Sequence, residues 1–149
     1  MKEAVVSDST CLIGLERVGR LDILPTLFDS VMIPPEVERE FGGKFAWLKV
    51  EHLTNIRLVA ALQMVVDAGE AEAIALASEK KCLLITDDKQ ARSAAKRLGV
   101  TVIGTVGVLI RAKQNKIITG IKPILDAFDA NDFRISRALR EEALKIAGE

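Results

Sequence analysis

Short apolar runs alternate along the chain with longer stretches in which apolar residues recur every three or four positions, and the short runs stop at turn residues or acids. Ala4 to Val6, Val31 to Ile33, Cys82 to Thr86 and Val100 to Ile103 are compact aliphatic runs, which predicts buried strands. Between the first two, Leu12, Ile13, Leu15 and Val18 mark a helix capped by Ser9 or Thr10 and ended near Gly19. A short helix is expected from Asp22 to about Phe28. Pro34-Pro35 halts the second strand, and a proline in the first turn suits a helix Glu36 to Phe41, closed by Gly42-Gly43. Trp47 to Leu53 reads as an edge strand or extended loop, and Ile56 to Val66 has the apolar density of a buried helix. Asp67 to Glu70 then has capping-box spacing and opens a helix whose Ala71, Ile74, Ala75 and Ala77 face inward. Further helices are expected at Ala91 to Leu98, at Val106 to Lys116, and from Ile121 onward with a break around Asn131 and a restart near Ser136.

This alternation of strand and helix predicts an α/β fold with a mostly parallel sheet. A length of 149 residues, without internal repeats or low-complexity linkers, predicts one domain over the whole chain. Composition agrees: 49% hydrophobic and 28% charged residues are the profile of a globular protein. No apolar run approaches the ~20 residues needed to span a bilayer, and no signal-peptide pattern opens the chain, so a cytosolic protein without a membrane segment is expected. Cys11 and Cys82 fall in apolar segments and read as small buried hydrophobes. With His52 as the one histidine, the spacing for structural zinc is absent, as is a Ser-His or Cys-His pair. A net charge of zero argues against nucleic-acid binding through bulk positive potential. Local patches remain: Lys80, Lys81, Lys89, Arg92, Lys96 and Arg97 flank Asp87-Asp88, and Arg111, Lys113 and Lys116 lie on a later helix. These are solvated faces or a phosphate-contacting rim.

The candidate chemistry lies in the acids that follow the strands. Asp8 comes just after the first strand and Asp87-Asp88 just after Cys82 to Thr86, so in a parallel sheet both sites open onto the edge where open α/β folds bind ligands. Side chains alternate at a strand end, so one of Asp87 and Asp88 is expected to face the site, and Asp88 also stands where it could cap the next helix. Asp8 could cap its own helix, a role Ser9 and Thr10 can also fill. Glu40 sits in the last turn of its helix, four residues from Glu36, where helix electrostatics disfavour it by a few tenths of a kcal/mol. Glu70 has a structural alternative in the capping box with Asp67. Glu72 does not, and ranks above Glu70 as a metal-site acid. Ser9 and Thr86 could support these carboxylates through hydrogen bonds. Clustered carboxylates repel by about 3 kcal/mol per pair at about 5 Å and an effective dielectric near 20, so a hard divalent cation is the expected neutraliser. Gly104-Thr105-Val106-Gly107 matches neither the dinucleotide nor the Walker spacing and reads as tight strand-to-helix packing.

The ordered set Val6-Ser7-Asp8-Ser9, Pro35 to Glu40, Gly69-Glu70-Ala71-Glu72-Ala73-Ile74, Ile85-Thr86-Asp87-Asp88 and Gly104-Thr105 resembles a PIN domain, in particular a prokaryotic PIN-like group related to the VapC-like toxins of toxin-antitoxin pairs. The resemblance implies a Rossmann-like three-layer α/β/α sandwich and Mg2+- or Mn2+-dependent cleavage of single-stranded RNA. It also implies an antitoxin partner if the chain is a toxin, and homodimerisation is a further expectation. Carried over, the family's acids fall on Asp8, Glu40, Glu72 and Asp88. The third position is usually aspartate, and here it is glutamate with Glu70 nearby. The residues provide acceptors for a cation and no protein nucleophile, which points to phosphodiester hydrolysis by an activated water. One Trp and no Tyr leave little base stacking, so phosphate contacts would govern substrate choice. Two other readings stand beside this one. The first is a catalytically inactive PIN-like module that binds RNA or protein. The second is a phosphoacceptor domain, although that class places its acidic pair after the first strand.

Overall fold

The computed structural model describes residues 2–149. Its strands are β1 (Ala4–Ser7), β2 (Ser30–Ile33), β3 (Leu48–Val50), β4 (Leu83–Ile85) and β5 (Val102–Ile103). All pair in parallel in the order β3-β2-β1-β4-β5. The helices are α1 (Ser9–Arg17), α2 (Ile23–Leu27), α3 (Pro35–Phe41), α4 (Ile56–Leu62), α5 (Ala68–Lys80), α6 (Lys89–Arg97), α7 (Thr105–Gln114), α8 (Lys122–Ala130) and α9 (Arg137–Ile146). Together they form the expected three-layer α/β/α sandwich. Trp47 to Leu53 contributes the edge strand β3.

Parallel strands covered on both faces need continuous apolar runs rather than alternation. Val5, Val6, Ile33, Leu84 and Ile85 are fully buried in this way. Truncating such a side chain costs about 2–5 kcal/mol through lost transfer energy and the cavity left behind. α5 is the central helix: Ala71, Ala73, Ile74, Ala75, Leu76 and Ala77 are all buried, so its apolar surface runs nearly all round. It packs on α3, α4 and α6 and on strands β1 and β4. Gly104 and Gly107 serve close packing, as expected. A Cβ at Gly104 would stand 2.8 Å from Asp87 Oδ1, and one at Gly107 would stand 2.6 Å from Ile103 Cγ1.

Two local expectations are corrected. Ile56 to Val66 is not a buried helix: α4 stops at Leu62, and Ile56, Met64 and Val65 are exposed while Val59, Leu62 and Val66 are buried. α5 covers the sheet, so α4 has only one face to bury against it. Glu79 of α5 anchors the start of α4, accepting from the backbone N–H groups of Thr54 and Asn55 at 2.7 and 2.8 Å. The second correction concerns α1, whose N-cap is Asp8 rather than Ser9 or Thr10. Cys11 N donates to Asp8 Oδ1 at 3.0 Å.

Candidate active site

β1 is followed in the sheet by β2 on one side and β4 on the other, so the strand order reverses between β1 and β4. A crevice forms outside the carboxyl ends of strands at such a reversal, because the following helices depart to opposite faces. Ser7 pairs with Ile85, and Asp8 N donates to Ile85 O at 3.0 Å, fixing Asp8 beside the end of β4. The acids after the two strands therefore meet at the switch point.

Asp8 is only 5% exposed. Its carboxyl is pushed up to about 7, chiefly by burial and also by the charge of Asp87, against the lowering effect of the Cys11, Thr86 and Asp87 hydrogen bonds. Asp87 and Asp88 divide into different roles. Asp87 is held at both oxygens by Thr105, whose N–H donates to Oδ1 at 2.8 Å and whose hydroxyl donates to Oδ2 at 2.6 Å. Asp88 caps α6, accepting from Ala91 N at Oδ2 at 2.8 Å, and its own N–H donates to Thr86 Oγ1 at 3.3 Å. Thr86 thus supports the edge, buried beneath it.

Glu70 joins this field from the first turn of α5. Burial raises its carboxyl to about 7, followed by the charges of Asp67 and Asp88 and, more weakly, Asp8. Asp67 caps the same helix by accepting from Glu70 N at 2.9 Å. Glu40 reaches the group from the end of α3. A Cβ at Gly69 would collide with Glu40 Oε1, so the glycine leaves room for that carboxylate to lie over the start of α5. Burial, then the charges of Asp67 and Glu36, raise Glu40, while Ser9 lowers it through a side-chain hydrogen bond. Its neighbour Arg39 is drawn to Glu36 instead.

Glu72 is placed differently from expectation. Its Oε1 accepts the Glu36 backbone N–H at 3.1 Å and so satisfies the start of α3, whose cap residue Pro34 has no side-chain acceptor. Glu70 thus lies in the field of Asp8 and Asp88, while one oxygen of Glu72 is engaged on α3. Two residues of the site escaped the sequence reading as site members. Asp67 shows in the sequence only as a helix cap, and Thr105 only as the residue after Gly104.

Among the described residues, Asp8, Glu40, Asp67, Glu70, Asp87 and Asp88 form no ion pair. No group of three or more His, Cys, Asp or Glu side chains among the described residues is placed so that it could hold a metal ion. Capping engages Asp8 Oδ1 and Asp88 Oδ2, Thr86 and Asp87 also hydrogen-bond Asp8, and the Asp67 backbone hydrogen-bonds Glu70, so the carboxylates offer hard acceptors that are already partly engaged. An all-oxygen set without an ion pair among the described residues fits a divalent cation in its donor chemistry, with the Arg92 guanidinium as the cationic group at the same edge. The carboxylates occupy an open edge rather than a deep pocket. A groove of about 940 Å3 begins beside Asp87 and Thr105, with Ile13, Ile103 and Phe133 in its walls and Arg17 and Arg92 at its sides. Cys11, fully buried under Asp8, has its thiol pushed up by burial and by the Asp8 charge, so it stays protonated and is no nucleophile. No helix among the described residues is long and apolar enough to cross a membrane. A family model described as PIN domain matches residues 4–149. No curated protein matches the chain.

Proposed function

The chain belongs to the PIN domain family, a nuclease-type fold whose enzymes generally use divalent metal ions, and from that premise we propose that it is a metal-dependent endoribonuclease acting on phosphodiester bonds of single-stranded RNA. One observation carries the reading: Asp8, Glu70 and Asp88 share one electrostatic field at the switch point, and among the described residues no cationic side chain forms an ion pair with them. Such a group is costly to keep ionised unless a positive charge joins it.

Asp8, Glu70 and Asp88 would hold Mg2+ or Mn2+, with Glu40 as an outer carboxylate beside Gly69. When bound, the ion supplies a hard Lewis acid that acidifies water and offsets charge on phosphoryl oxygens. The chain's own residues set the geometry. The Cys11 and Ala91 N–H groups orient Asp8 and Asp88. Thr105 holds Asp87 fixed beside them. A soluble cytoplasmic toxin with an antitoxin partner, assembling as a homodimer, is the biological setting that the family likeness suggests.

The second reading, an inactive RNA- or protein-binding module, is favoured by the capping bonds that already engage Asp8 and Asp88. The two readings separate in one assay, incubation of wild type and Asp8→Asn with single-stranded RNA in EDTA, Mg2+ or Mn2+. Asparagine keeps an oxygen for the Cys11 N–H, so the cap survives while the charge is lost. Cleavage is expected only with metal and to fall by about 100-fold or more in the variant. Equal cleavage by both proteins, or cleavage in EDTA, would refute the enzyme.

A further inference from the structure

α6 carries Lys89, Arg92, Lys96 and Arg97 and no acid. Lys89, Arg92 and Lys96 recur at i, i+3 and i+7, which lines them along one stripe, while Ala91 and Ala95 form the buried side of the helix. None of these four cations forms an ion pair among the described residues. Lys96 and Arg97 suit the last turn of the helix, but the rest of the arrangement is unfavourable for it. Like charges three and four residues apart repel, and Lys89 lies in the first turn, beside the positive end of the helix dipole. The stripe nevertheless begins at the residue after Asp88. Arg92 is fastened to the same edge, its Nη1 donating to Thr86 O at 3.1 Å, and it also lines the groove that starts at Asp87 and Thr105. A row of cations without an acidic partner among the described residues therefore leads away from the carboxylate edge, and a polyanion entering that edge is the ligand that would neutralise it.

We propose that Lys89, Arg92 and Lys96 form a phosphate-binding track along α6 that holds the backbone of the single-stranded RNA flanking the cleaved bond. The choice of ligand rests on the nuclease reading. With aromatic residues at 4% of the chain, such a track would bind through phosphates with little base preference.

The test uses the Asp8→Asn protein in EDTA, so that binding is measured without cleavage. The probe is a fluorescent oligouridylate of about 12 nucleotides, followed by anisotropy across a salt series. Lys89→Gln/Lys96→Gln is expected to weaken binding about tenfold at low salt and to flatten the salt slope by about 1.4, at about 0.7 per lost single-strand contact. Lys49→Gln removes an exposed charge on β3, at the far edge of the sheet from β5, and is expected to change neither quantity. Arg92 is left in place because of its bond to Thr86, and circular dichroism confirms that each variant is folded. Wild-type affinity and slope in the double variant would overturn the track, as would an equal loss from Lys49→Gln or no binding by the parent protein. The nuclease reading is judged separately, by metal-dependent cleavage in the wild-type chain. Track-dependent binding without such cleavage would keep the track and discard the enzyme.

Discussion

The C-terminal helices and the switch-point edge use the same charged residue types in opposite ways. On α8 and α9, Lys122 pairs with Asp126 at 3.0 Å, Arg137 with Glu141 at 3.0 Å, and Arg140 with Asp129 at 3.2 Å as well as with Asp126. Glu149 accepts from Lys113 Nζ at 3.0 Å and from Ile121 N at 2.8 Å. At the carboxyl ends of β1 and β4, Asp8 and Asp88 lie near enough to raise Glu70 by their charges, none of the three forms an ion pair among the described residues, and Asp8 and Glu70 are shifted toward neutrality. Exposed pairs of the first kind contribute little to stability and are screened by salt. The second arrangement opposes folding, which points to a role outside stability.

The largest expected effects come from breaking the acidic side of this contrast. Glu70→Gln is expected to reduce metal-dependent cleavage by about 100-fold, whereas Glu72→Gln, which keeps an acceptor for the Glu36 N–H, should retain most activity. Cleavage rates in Mn2+ check both. A greater loss from Glu72→Gln would restore the ranking expected from the sequence.

The metal-free protein should lose stability as pH rises. The folded-state carboxyl of Asp8 lies near 7 against an ordinary 3.8, so between those values the folded chain binds more protons than the unfolded one. Its contribution is complete below the unfolded value and is lost as pH climbs through about 7. At about 1.4 kcal/mol per pH unit, the full effect is at most about 4–5 kcal/mol. Thermal melts in EDTA from pH 5 to 8 should show Tm falling, with Mn2+ or Asp8→Asn suppressing the fall. A flat profile would show that the edge carries no stored repulsion.

Smaller effects sharpen the comparison further. Thr105→Val removes one of the two donors to Asp87: the hydroxyl bond goes while the backbone N–H bond remains. A loss of about 1–2 kcal/mol is expected, measured by urea unfolding. Asp126→Asn, on the paired side, should leave cleavage unchanged and lower Tm slightly, with the difference shrinking in high salt. A large activity loss there would blur the division between the two regions.

Much of the fold is readable from local pattern. The aliphatic runs at Val31 to Ile33 and Cys82 to Thr86 become β2 and β4, and the restart near Ser136 is α9, with Leu139 N donating to Ser136 Oγ at 3.1 Å. Strand-end acids are visible for the same reason, since a carboxylate after an apolar run is a local feature. Ile56 to Val66 misleads because apolar density records what could be buried, and the layer available to α4 is decided by α5. Glu70 and Glu72 could not be ordered from sequence alone. Residues two positions apart on a helix, as Glu70 and Glu72 are, lie about 200° apart around it, so they point to nearly opposite sides, and the rotation of α5 determines which one meets the strand ends.

The sequence by itself determined the element order, the parallel α/β class and the presence of acids where strands stop, because periodicity and strand termination depend on near neighbours. Only the tertiary structure decided that β1 and β4 lie side by side at the reversal of strand order. It also decided that Asp87 is tied to Thr105, that Glu72 serves α3 and that Glu70 enters the field of Asp8. Those outcomes depend on strand pairing and helix rotation, which are set by packing between residues far apart in the chain.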